Sequence, residues 1–133
     1  MSDPRSLRST RRRTASAVAD LIMILIFVAI GRSVHDHGVK LSGMISTTWP
    51  FAVGMAIGWL ILVVRGRSAT SFAAGVTVCL ATVSVGMALR VVAGQGIAVA
   101  FVVVALVFLG AFMLGWRLLF AGLGRWRNSS RTN

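Results

Sequence analysis

Acidic side chains are almost missing from this chain. Its 133 residues hold three, Asp3, Asp20 and Asp36, against 14 basic ones. A soluble domain carries about a quarter charged residues, whereas here the fraction is 13%. So few charges cannot cover a globular surface, and lipid must take that role. Cysteine is scarce too. Cys79 stands alone in an apolar run, which excludes an intrachain disulfide and a cysteine-cluster metal site. It is read as a small packing residue. A nucleophile elbow, a phosphate loop, a zinc signature and a haem motif are all missing. The chain is therefore expected to have no enzymatic activity, no cofactor and no metal.

What is present is long apolar runs separated by charge or by Gly/Pro punctuation. Four spans are predicted, at about 15–34, 46–64, 69–91 and 96–118, between basic tails over 1–14 and 119–133. A helix crosses the hydrocarbon core with roughly 20 residues. The runs are continuous and lack the alternation of outer-membrane strands. In lipid every backbone group must be satisfied internally, so helix wins over the many β-branched residues. The expected fold is all-α, a four-helix transmembrane bundle. The first run has a basic flank like a signal peptide, but "GRSVHDHG" follows it with no small-x-small cleavage site. It is read as an uncleaved span. The tails are read as disordered.

The net charge of +11 raises nucleic acid as a partner. The arginines stand in blocks beside apolar runs, not along one amphipathic face, so that partner is rejected in favour of the lipid bilayer. Arg5, Arg8, Arg11, Arg12, Arg13, Arg65, Arg67, Arg117, Arg125, Arg127 and Arg131 fall on one side of a four-span protein, and Arg32, Lys40 and Arg90 on the other. The positive-inside rule then places both termini in the cytoplasm. Lys40 is the one lysine, and this preference for arginine is read as the mark of a GC-rich bacterial genome. The expected location is the bacterial cytoplasmic membrane. Trp49, Trp59, Trp116 and Trp126 are read as interfacial belt residues.

Ionisable residues within spans are the informative ones. Asp20 follows Arg13 by seven residues, or about 10 Å along a helix. A membrane carboxylate seeks a partner in the bundle. By depth Arg117 is the first candidate and Arg65 the second. Gly75, Cys79, Thr82, Gly86 and Arg90 share a small, polar stripe on the third span, which lets another helix approach. If the first and third spans touch, Arg90 meets Arg32, His35 and Asp36 in an outward-facing pocket able to hold an anion. Snorkelling arginines with interfacial partners are the plainer reading. His35-Asp36-His37 offers too few ligands for a metal site, though His35 titrates near neutral pH and could sense external acidity. Gly54 and Gly58 form a small-xxx-small packing motif. Pro50 is read as a helix initiator in the first turn of span two.

Taken in order, Ala19-Asp20, Phe27, "GRSVH" (Gly31 to His35), Thr48 to Phe51, Gly54 to Trp59, "GMALR" (Gly86 to Arg90) and "LGWR" (Leu114 to Arg117) resemble the DUF3054 family of small membrane proteins of unknown function. The resemblance runs from about Ala19 to Leu118. It implies four helices and no reaction, and it points to Asp20, Arg32, His35, Pro50, Arg90 and Arg117. Asp36 and His37 stand outside the family pattern. The cluster Asp20, Arg32, His35, Arg90 and Arg117 is thus functional or structural, with Gly54, Gly58, Gly75 and Gly86 as packing positions. The function expected first is an accessory or assembly subunit that packs on another membrane protein. The alternative is a small homo-oligomeric carrier or channel for a proton, ion or small solute.

Overall fold

The computed structural model describes residues 3–34 and 40–131. Four helices follow one another: α1 (Pro4–Val34), α2 (Leu41–Val64), α3 (Phe72–Val92) and α4 (Val99–Ser129). Each is long and apolar enough to cross a membrane. They form an antiparallel ring in which each packs on its chain neighbours and α1 closes on α4. The diagonal pairs α1–α3 and α2–α4 do not approach at the backbone, so the first and third spans are not packed directly together.

Three helices reach beyond their predicted bounds. The N-terminal segment, expected to be disordered, is the start of α1. The Asp3 carboxylate accepts from the Arg5 N–H at 3.0 Å, and Pro4 occupies the first helical position. This is a capped helix start, with an acidic N-cap followed by a residue that needs no N–H acceptor. At the other end α4 runs on to Ser129. Helix α2 starts at Leu41, so Pro50 is internal rather than in the first turn.

Glycine closes the two short loops. After α2, Gly66 takes φ +60° while Arg67 N–H reaches Leu62 O at 3.0 Å. After α3, Gly94 takes φ +71° while Gln95 N–H reaches Arg90 O at 2.9 Å. Both are Schellman closures, in which a left-handed glycine lets the chain turn back over the last carbonyls. Helix α3 opens on Ser71, whose hydroxyl accepts from the Ala74 N–H at 3.1 Å.

The core is thin. Ile24, Phe51, Val78, Leu109 and Met113 are buried. Yet only 44% of the apolar window of α3, and 17% of that of α4, is buried inside the bundle. The remaining apolar surface faces outward and needs a hydrocarbon solvent. Without a hydrophobic force between helices in lipid, close approach of small residues holds the ring together. A Cβ on Gly54 would stand 2.7 Å from the Thr82 carbonyl oxygen, and one on Gly58 2.9 Å from the Val78 Cα. The small-xxx-small motif therefore seats α2 directly on the α3 backbone. The stripe on α3 serves two neighbours: Gly86 faces Phe51 of α2, and Gly75 faces Leu114 and Arg117 of α4.

Gly54→Ala is expected to destabilise the protein by about 1–3 kcal/mol through overpacking. Gly31→Ala, where a Cβ meets nothing within 4 Å, should stay within about 0.5 kcal/mol of wild type. Unfolding in mixed micelles checks the pair, and equal effects would show that the α2–α3 contact is not tight.

Candidate functional site

Asp20 of α1 and Arg117 of α4 meet inside the bundle. Arg117 Nη1 donates to Asp20 Oδ1 and Nη2 to Oδ2, each at 2.8 Å. This is the two-pronged geometry that suits a guanidinium to a carboxylate. Both residues are buried, at 0% and 1% exposure. Two indoles complete the carboxylate's shell: Trp59 Nε1 donates to Oδ2 at 3.1 Å and Trp116 Nε1 to Oδ1 at 3.0 Å. Each carboxylate oxygen thus accepts two hydrogen bonds.

The arginine is held as fully. Its Nε donates to Ala69 O at 3.1 Å, and Nη1 also reaches Met113 O at 2.9 Å. Its guanidinium carbon lies 4.4 Å from the centre of the Trp116 ring, within cation–π range. Gly75 makes room for this side chain, since a Cβ there would fall 2.9 Å from Arg117 Cδ. One ion pair thereby ties α1, α2 through Trp59, α4, and the α2–α3 loop through Ala69. Arg65, the second candidate partner, is exposed at the end of α2.

The two tryptophans correct the belt reading for Trp59 and Trp116. Both are partly buried, with the indole N–H turned inward. The available signal was depth: Trp59 and Trp116 lie at the same end of their spans as Asp20 does of its own, and a buried carboxylate needs donors.

At the opposite end lies a second polar group. A cavity of about 470 Å³ is lined by Arg32, Ser46, Thr47, Arg90, Gln95 and the Phe27 and Phe101 rings, among others. Arg32 Nη1 donates to Thr47 Oγ1 at 3.2 Å. Arg90 Nη1 donates to Gln95 Oε1 at 3.0 Å, and Gln95 Nε2 donates to Ser46 O at 3.0 Å. The Ser46 carbonyl is the one that residue 50 would bond in a regular helix, and Pro50 has no N–H to offer. Pro50 therefore frees an acceptor that Gln95 takes up. This replaces the reading of Pro50 as a helix initiator, and Gln95 is a site residue that the sequence did not single out.

Arg90 Nε is buried without a partner, while the guanidinium carbon sits 4.8 Å from the centre of the Phe101 ring. Among the described residues no acidic side chain lines this cavity. The structure brings Arg32 and Arg90 to one cavity across the diagonal of the ring. His35, Asp36 and His37 lie outside the described residues, and with them the expected contribution of His35 to this cluster. No group of three or more metal-ligating side chains occurs among the described residues.

Between the two sites stands an aromatic layer. The Phe27 ring centre lies 5.8 Å from that of Phe51, 5.9 Å from Phe101 and 5.5 Å from Phe108. Phe27 follows Asp20 by seven residues and precedes Arg32 by five, so it divides the helix between them.

Asp20→Asn and Arg117→Met should each destabilise the protein by about 3–5 kcal/mol, because each leaves a buried charge or its shell unpaired. The double variant should lose clearly less than the sum. Additive losses in a micelle unfolding cycle would contradict a coupled pair.

A family model described as "Protein of unknown function (DUF3054)" matches residues 17–120. No curated protein and no solved structure matches the chain.

Proposed function

The chain belongs to the DUF3054 family, and from that premise we propose that it is a non-catalytic accessory subunit of the bacterial cytoplasmic membrane. Both ends of the chain face the cytoplasm in this reading, since the arginine-rich end of the ring is the one that resists translocation. The observation that carries the subunit role is the closure of the Asp20 site. Four donors occupy the two carboxylate oxygens, and phenylalanine rings stand between this pair and the far cavity. A carboxylate in a relay must exchange partners, whereas this one is buried and already accepts from four donors. It serves as a fixed joint between helices. Only 17% of the apolar window of α4 is buried inside the bundle, and its outward face is the surface left for another membrane protein. Nucleic acid is not part of this reading.

The protein should be purified under mild conditions from its own membrane and the intact assembly weighed. A stoichiometric foreign subunit is the expected result. A homo-oligomer free of other proteins would overturn the accessory role. In the same strain Asp20→Asn should lower abundance and partner recovery and leave ion and solute flux unchanged per molecule.

The buried, unpartnered Arg90 Nε favours a second reading, a small carrier that takes an anion at the far cavity. It predicts that Arg90→Gln, which keeps a donor but removes the charge, weakens sulfate or carboxylate binding by at least about tenfold. Unchanged binding would remove this reading.

A further inference from the structure

The first three turns of α1 carry Arg5, Arg8, Ser9, Arg12 and Arg13, at i, i+3, i+4, i+7 and i+8. This is the spacing of one helical face. The face turns toward the α2–α3 loop and closes a cleft of about 500 Å³ with Gly66, Arg67, Ser68, Ala69 and Thr70. Arg13 Nη2 reaches the Arg67 carbonyl at 3.5 Å, so helix and loop meet there.

Among the described residues five arginines and no acidic side chain line this cleft. Asp3 is the nearest carboxylate in sequence, and its Oδ1 is engaged at the helix cap. The ion pair of Asp20 with Arg117 is the one salt bridge among the described residues, so the five arginines have no acidic partner there. Like charges at i, i+3 and i+4 oppose helix formation, and aiming them at a loop with its own arginine adds repulsion. The arrangement is favourable when an anion with several oxygens sits between them. Arginine forks match phosphate oxygens two at a time. The cleft also sits at the right level. Arg13 is partly buried, Ser16 one turn on is buried, and the apolar run starts at Ala15, which is the depth of the headgroup layer beside a hydrocarbon core.

We propose that this cleft binds a phosphate group at the membrane surface, supplied by an anionic lipid headgroup or by a free polyphosphate. The proposal rests on the chain spanning a bilayer and is independent of any partner protein, so it can fail while the accessory role stands, and the reverse.

The test uses the full chain in mild detergent and native mass spectrometry. Dioleoyl phosphatidylglycerol, dioleoyl phosphatidylcholine or pyrophosphate is added separately. Defined retention of phosphatidylglycerol over phosphatidylcholine supports the site with lipid as the source. Binding of pyrophosphate with no lipid preference supports it with a free phosphate as the source. In either case Arg12→Gln/Arg67→Gln should weaken binding by about 30-fold. Arg125→Gln/Arg127→Gln, which removes equal charge from α4 outside the cleft, should change it less than about threefold. Should the first pair not accumulate, Arg8→Gln, at an exposed position, carries the same comparison. Binding of neither ligand, or equal loss in the α4 control, overturns the proposal.

Discussion

The buried pair of Asp20 and Arg117 is the constraint on which the bundle depends. In a hydrocarbon surround each ion alone would cost about 2.5–3.5 kcal/mol or more. Neither can be placed in the core unless the other arrives with it, and the remaining hydrogen-bonding capacity must also be met. The structure meets it from four directions, with two indoles on the carboxylate and two backbone carbonyls on the guanidinium. Such a joint is strong in one geometry only. It fixes how α1 and α4 rotate about their axes, where Trp59 must sit on α2, and how the Ala69 loop must turn.

The far end is built on a different principle. There the polar groups are linked in a chain, from Arg90 through Gln95 to the carbonyl released by Pro50. The proline does not start the helix. It removes one internal bond, and the loop glutamine bonds the carbonyl left over. One Arg90 nitrogen stays unpaired in the interior, in contrast with the saturated shell of Asp20. The two ends are separated by phenylalanines, so each polar group answers to its own neighbours.

Glycine sets the distance at which all of this operates. Gly54 and Gly58 bring α2 onto the α3 backbone, while Gly75 admits the Arg117 stem. A small residue therefore acts at the charged joint itself as well as at the helix–helix contact. The arginine face of α1 belongs to the same logic of surroundings. A row of like charges is tolerable where the medium supplies the opposite sign, and the membrane surface is such a medium.

The number and order of the four helices were legible in the residues, though not the outer limits of α1, α2 and α4, because hydropathy is a property of the chain taken one segment at a time and lipid leaves the backbone no alternative to helix. Asp20 and Arg117 could be paired from depth alone, since antiparallel spans put residues at equal distance from the same surface at the same level. The polar composition of the N-terminal segment points to disorder, whereas Asp3 and Pro4 start a helix there, because a cap acts through two residues and composition averages over many. What no linear reading supplied is the set of partners that depends on rotation and neighbour order. That Trp59 and Trp116 turn their N–H groups inward, that Gln95 meets the Ser46 carbonyl, and that α1 faces the Arg67 loop follow from which helices are adjacent in the ring. Only the tertiary structure decides that, because side chains far apart in sequence meet according to the angle at which each helix presents its faces.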